Sequence, residues 1–443
     1  MHTHAPGAAS APASRRSRLW LTVLMAGLLL PTLVGLILLW PSADQRPQPT
    51  PYLYAGASYA FGQVTAVHPE RASDQVEVKL DGSGLIVSVM PNPDVPLDSF
   101  DPGDRLRLMY LPEAAASGSP YLFVDFERSR PMWLLAIGFA VVVVAVARLK
   151  GVAALVGLVA ALALIWFFLL PALMAGRDPL ALALVTASAV LFLVVYLAHG
   201  VSVKSTTALL GTFAGVAIVA GLARWAIPGA DLIPSTDEDM AHLANTVPGL
   251  DPRGVLLCGL VLAGVGVLND VTITQASAVW ELRAAAPTAT RRDLFTRAMR
   301  IGRDHIASTV YTIAFAYVGG ALGVLTLAAT YDHRLGDLLT FNDIAQELVG
   351  ILVASIGLVL AIPVTTAIAA WLADRPTTLE PAPRTYSETM VTTLPTEPTE
   401  TLAQPEPDIR LDPEFSAQTT DSMAHPERLR PFRRRSQREN DDD

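Results

Sequence analysis

The sequence predicts a polytopic α-helical membrane protein with about eight transmembrane helices and a small extracytoplasmic all-β domain between the first helix and the second. Three observations carry that prediction. Only 16% of the 443 residues are charged, against roughly 25% in a soluble domain, and the mean hydropathy is +0.40. The apolar residues come in uncharged blocks of about 20, the length that crosses a bilayer as a helix with every backbone hydrogen bond satisfied internally. Between the first block and the second, the pattern changes to the two-residue period of half-buried strands.

Residues 1–18 are rich in Ala, Ser and Pro and end in Arg15, Arg16 and Arg18. Leu19 to Trp40 follows without a charge. A secretory apolar region is about 7–15 residues long. This run is longer, so 19–40 is expected to be an anchor helix and 1–18 a cytoplasmic tail, with a cleaved signal peptide as the alternative.

Residues 50–130 hold the expected β domain. Val76, Val78 and Leu80 alternate with Glu77 and Lys79, and Asp81-Gly-Ser-Gly84 turns the chain into Leu85–Met90. Asp101-Pro-Gly-Asp104 leads into Leu106, Leu108 and Tyr110. With Tyr59–Val67 and Tyr121–Phe126, about five short strands result, which suits a small barrel of OB or SH3 type.

Residues 131–373 form the helical membrane domain, with spans expected at 131–148, 152–174, 179–198, 206–227, 253–280, 305–329 and 347–372. Lys and Arg near span ends set the orientation. With the N-terminus inside, Arg148, Lys150, Lys204, Arg283, Arg291, Arg292, Arg297, Arg300 and Arg303 all fall inside. The loop 228–252, with Asp231, Asp237, Glu238 and Asp239, then faces outward. Both termini are expected in the cytoplasm. Residues 374–443 are rich in Pro, Thr and Glu, so they bury too little apolar surface to offset chain entropy and are expected to be a disordered cytoplasmic tail.

Several function classes are unsupported. No basic domain with interleaved aromatics suggests nucleic acid. The single cysteine, Cys258, allows no intrachain disulfide. HExxH, GxSxG, Walker A and CxxC motifs and His pairs at ligand spacing do not occur. Neither an enzyme, a metal site nor a cofactor is expected.

Chemistry concentrates in the block 253–280. Gly259, Gly266, Asp270, Thr274, Ser277 and Glu281 fall on one helical stripe, with Asn269 and Gln275 beside it. A carboxylate at mid-bilayer costs at least ~2.5–3.5 kcal/mol, so Asp270 is expected to face the bundle interior, beside water, a cation or a partner. In the next block Asp304, Ser308 and Tyr311 share a face, and Gly319, Gly320 and Gly323 permit close contact or a break. Gly211 and Gly215 form a GxxxG face on the expected span 206–227. The functional reading is a polar path: Asp270 as the ion or proton group, Asn269, Thr274, Gln275 and Ser277 as oxygen ligands, and Asp304 with His199 as proton relays at the cytoplasmic side. The structural alternative has Thr and Ser bonded to their own helices, Asp304 as a cap or ion pair and His199 as an interfacial group.

The chain resembles the YibE/F family of bacterial membrane proteins. The resemblance runs from about Tyr59 to Ala373 and is carried by Leu149-Lys-Gly151, Leu169-Leu-Pro-Ala172, Tyr196-Leu-Ala-His-Gly200 and Ser205–Gly211. It also rests on Gly266–Leu282, Ile301-Gly-Arg-Asp-His-Ile-Ala-Ser-Thr309 and Ala316-Tyr-Val-Gly319. The family usually has Asn where this chain has Tyr311, and Pro-Leu where it has Gly323-Val. The resemblance implies the architecture and a bacterial plasma-membrane location; it implies no activity. Two functions are therefore expected from the residues: a permease for a small solute or ion, for which the GxxxG faces permit a homo-oligomer, or a scaffold that binds partners through its external domain.

Overall fold

The computed structural model describes residues 15–46, 53, 56–68, 75–93, 95–117, 120–234, 238–247, 249–330 and 334–373. The segment expected to be a disordered tail, 374–443, and most of 1–18 lie outside the described residues.

Helix α1 (Arg15–Leu39) packs on the helical domain where Gly35 meets Val185, an approach so close that a Cβ on Gly35 would lie 2.5 Å from Val185 Cγ2. The Trp40 ring stacks at 5.4 Å on Phe168.

Five antiparallel strands follow: β1 (Ser58–His68), β2 (Gln75–Leu80), β3 (Ile86–Val89), β4 (Arg105–Tyr110) and β5 (Tyr121–Phe126), in the order β3-β2-β1-β4-β5. The alternation visible in the sequence decides the faces, since Val64, Val76, Val78, Leu80, Val89, Leu106 and Leu108 all point into one core with Phe100. Gly62 is required at the centre, because a Cβ there would lie 2.6 Å from Val78 Cγ1 and 2.8 Å from the Lys79 carbonyl oxygen. A small barrel of OB or SH3 type is expected from the sequence. The ladders form an open sheet instead, with β3 and β5 as its two edges.

Helix α2 (Ser129–Leu164) is broken at Arg148, whose backbone is left-handed at φ 54, ψ −131. The chain folds back there: a Cβ on Gly151 would lie 2.5 Å from the Val143 carbonyl oxygen, whereas residues eight apart in a straight helix are separated by about 12 Å. The break falls between the expected spans 131–148 and 152–174. A π-helical turn (Ile165–Leu169) leads into α3 (Leu170–Met174), where Pro171 removes a backbone donor.

The central bundle is α4 (Pro179–His199), α5 (Val203–Gly229), α7 (Pro252–Ala285), α8 (Arg291–Gly320) and α11 (Asn342–Leu372). Asp178 and Asp251 cap α4 and α7, each followed by Pro in the first turn, the residue pair that starts helices most readily. Ser202 caps α5 and Thr290 caps α8, both in capping boxes. Short helices α6 (Glu238–Thr246) and α10 (Leu335–Leu338) lie in the connections. The glycine faces of α5 act as predicted: Gly211 abuts Thr365, and Gly215 lies against Leu268 and Ala361.

The expected span 305–329 falls on two helices. Its helix starts at Arg291, because the Thr290–Asp293 box nucleates it, and it breaks at Ala321 into α9 (Leu322–Ala329) with a bend of 67°. Gly319, Gly320 and Gly323 have no neighbour within 4 Å of a Cβ position, so they mark the break and not a packed contact. Among the described residues, six helices are long and apolar enough to cross a membrane, or seven with the α8–α9 pair counted as one span. The segment Ser129–Met174 counts once in that tally, where two spans are expected from the sequence.

Candidate functional site

The functional stripe sits on α7, which packs against α4, α5, α8 and α11. Its inward positions, Val261, Leu268, Val271, Thr272, Gln275 and Val279, are buried against α5, α8 and α11. The 3.6-residue period then fixes the opposite face. Gly259, Ala263, Gly266, Asp270, Thr274 and Glu281 are exposed. The stripe read from the sequence is real, and it points outward.

Asp270 is therefore exposed on the outer surface of the single chain, and the expectation that it faces the bundle interior is corrected. The physical reason lies on the other side of α7. The glycine surfaces of α5 and the threonines of α11 claim the opposite stripe, where close packing gains most. By helix geometry, at ~1.5 Å per residue, Asp270 lies about 24 Å along α7 from Gly254 and about 20 Å from Arg283, well between the two ends of the helix.

The other predicted residues divide. Thr274 is exposed and its Oγ1 donates to the Asp270 carbonyl at 2.9 Å. Ser277 Oγ donates to the Ile273 carbonyl at 2.8 Å. Asn269 is half-buried, and its Oδ1 is sealed from solvent without a hydrogen-bond partner. Gln275 is on the opposite face, 3% exposed, with Nε2 donating to the Ala298 carbonyl at 2.9 Å and to Thr366 Oγ1 at 2.8 Å. It ties helices together and does not border Asp270. Asp304 is exposed on α8 and His199 is exposed at the end of α4. Among the described residues, the bond from Thr274 to the Asp270 backbone is the one hydrogen bond joining two members of the predicted set, and no ion pair joins any of them.

The interior holds a polar seam that the sequence reading did not assemble. Thr212 Oγ1 on α5 and Thr272 Oγ1 on α7 are hydrogen-bonded at 2.6 Å with both side chains fully buried. Tyr196 Oη and Thr206 Oγ1 meet at 3.2 Å. Thr365 and Thr366 donate to their own helix at 2.7 Å each. The signal was present in Thr206, Thr207, Thr212, Thr365 and Thr366, but hydroxyls in apolar runs are common, and their pairing depends on register between distant segments.

Two cavities lie at opposite ends of α7. One of about 270 Å³ is lined by the two helix-capping carboxylates Asp178 and Asp251 together with Arg224 and Arg253. Arg253 Nε donates to the Leu232 carbonyl at 3.1 Å. The other, of about 530 Å³, is lined by Arg283, Thr290, Arg291, Arg292 and Ala373. Among the described residues no group of three or more His, Cys, Asp or Glu side chains is placed to hold a metal ion.

Residues 135–375 match the family model described as YibE/F-like protein, more than half of the chain. The chain belongs to the YibE/F-like family. The match covers the helical domain from within α2 to just past the end of α11 and leaves α1 and the sheet outside it. No curated protein and no solved structure matches the chain. For this YibE/F-like protein, the integral membrane architecture rests on the family together with the apolar helices, and the activity rests on the site alone.

Proposed function

We propose that this protein is a permease of the bacterial plasma membrane, with both termini cytoplasmic, that moves a small solute or ion past Asp270. The observation that carries the reading is a carboxylate between the ends of α7 on an open stripe of small and polar residues. Exposure of that group to hydrocarbon costs at least ~2.5–3.5 kcal/mol. Water, a cation or a second copy of the chain therefore covers the stripe. Gly259, Ala263 and Gly266 leave room along it, and Asn269, Thr274 and Ser277 line it beside Asp270. The path runs along the surface of α7, not through the middle of one bundle, so a homo-oligomer closes it. Asp304 serves as a proton group near the basic end of α8, while Gln275 is reassigned to structure and His199 to the interface. The reading contains no enzymatic step and no cofactor.

Asp270→Asn tests it, since the substitution keeps shape and removes the charge. In proteoliposomes loaded with H⁺- or Na⁺-sensitive dye, the variant is expected to lose ion flux while unfolding at the same temperature as the parent. Flux equal to the parent overturns the reading.

A second reading, a scaffold for envelope assembly, is favoured by the open edge of the sheet, where Leu85, Ile86 and Met90 are each more than half exposed beside β3. Removal of residues 45–125 separates the two: a scaffold loses function, and a permease keeps ion flux.

A further inference from the structure

The second cavity belongs to no part of that path. Its volume is about 530 Å³, and it opens where three helices end together, α7 and α11 at their C-termini and α8 at its N-terminus. Arg283 is 7% exposed. Its Nε donates to the Ala373 carbonyl at 3.0 Å, and Nη1 to the carbonyls of Pro287 and Ala289 at 3.2 and 2.7 Å. These bonds fix the guanidinium in the wall of the cavity, where Arg291, Arg292 and the Thr290 hydroxyl complete the lining.

We propose that this cavity binds the phosphate of an anionic phospholipid headgroup. Guanidinium groups match phosphate oxygens; Arg291 and Arg292 line the cavity beside Arg283, whose Nε and Nη1 are held by backbone carbonyls and which adds its charge. Between residues 283 and 303 the sequence holds Arg283, Arg291, Arg292, Arg297, Arg300 and Arg303 against a single carboxylate, Asp293. That carboxylate accepts from Thr290 N at 3.1 Å and Thr290 Oγ1 at 2.6 Å in the capping box. The depth is that of headgroups, because the apolar runs of α7 and α11 stop at the cavity. Trp371, 55% exposed in the last turn of α11, has the Arg291 guanidinium over its ring at 5.8 Å. An aromatic at that level is typical of the membrane–water boundary. The 30-residue helix α8 adds the positive end of its dipole. Clusters of this composition beside span ends recognise anionic lipid by charge.

The test uses the full chain in neutral detergent, with thermal unfolding followed while phosphatidylglycerol, phosphatidylcholine or inorganic phosphate is added. Two double variants accompany the parent. R291Q/R292Q removes the exposed part of the lining and leaves the Arg283 staple intact. R297Q/R300Q removes equal charge from the same helix outside the cavity. Phosphatidylglycerol is expected to stabilise the parent and R297Q/R300Q at similar concentrations, and R291Q/R292Q only at about tenfold higher concentration. Equal stabilisation by phosphatidylcholine, saturation by inorganic phosphate alone, equal weakening in both variants or no response in the parent each overturns the proposal.

Discussion

Gln275 on α7 donates through Nε2 to Thr366 Oγ1 on α11 at 2.8 Å, and the same nitrogen donates to the Ala298 carbonyl of α8 at 2.9 Å. One amide thus joins three helices inside the bundle. Gln275→Leu is close in volume but loses both bonds. It is expected to lower stability by about 1–2 kcal/mol, the range for interhelical hydrogen bonds in membranes. A denaturing-detergent titration monitored by tryptophan fluorescence reads the change. A midpoint equal to the parent's would show that the amide is dispensable.

Glycines on α5 and α7 look alike in sequence and differ in space. A Cβ on Gly215 would lie 2.7 Å from Leu268 Cδ2 and 3.1 Å from Ala361 Cβ, whereas Gly259 and Gly266 have nothing within 4 Å. Gly215→Leu is expected to cost about 1–3 kcal/mol by overpacking, measured in the same titration. Gly266→Leu is expected to leave unfolding unchanged and to reduce ion flux by filling the stripe. A loss of stability in Gly266→Leu would place that face inside a packed contact of the single chain.

Glu127, between β5 and α2, has its carboxyl held at about 2 from a usual 4.5, first by the Ser129 hydroxyl and then by Arg107, whose Nη2 is 3.0 Å away. A depressed folded-state value stabilises the fold above the unfolded value, and that contribution disappears as the folded value is approached. Stability of the sheet region is therefore expected to fall between pH 4.5 and 2. Glu127→Gln should flatten that part of the profile. Circular dichroism across this range checks it, and an unchanged slope in the variant contradicts it.

Strands and apolar helices were legible because each follows from a local rule. Val76, Val78 and Leu80 alternate, and uncharged apolar blocks mark the long helices. The break at Arg148 was legible too, as a gap between two apolar blocks. The bend at Ala321 was only permitted by nearby glycines. What local pattern could not give was the rotation of α7. Periodicity collects Asp270 with Gly266 and Thr274, but it does not say which stripe turns inward, since the opposite one also carries polar Thr272 and Gln275 among its valines and leucines. The choice of inward face was made by Gly211 and Gly215 on one partner and by Thr366 on another, both remote in sequence. The same remoteness hid the cavity at Arg283, which forms only when the ends of α7 and α11 meet the start of α8.

In a permease of this design, water or ions reach the outward stripe of α7 between its ends. Cys258 donates to the Pro179 carbonyl at 3.3 Å, a bond that serine also makes, so Cys258→Ser provides a thiol-free parent. In that background Thr274→Cys, one helical turn from Asp270, is treated with a membrane-impermeant maleimide in native membranes opened to both sides. The account predicts labelling at a rate comparable to a thiol in an aqueous loop. Absence of labelling in a chain that folds and inserts normally would mean that the stripe is sealed by lipid or dry protein, and would contradict the permease.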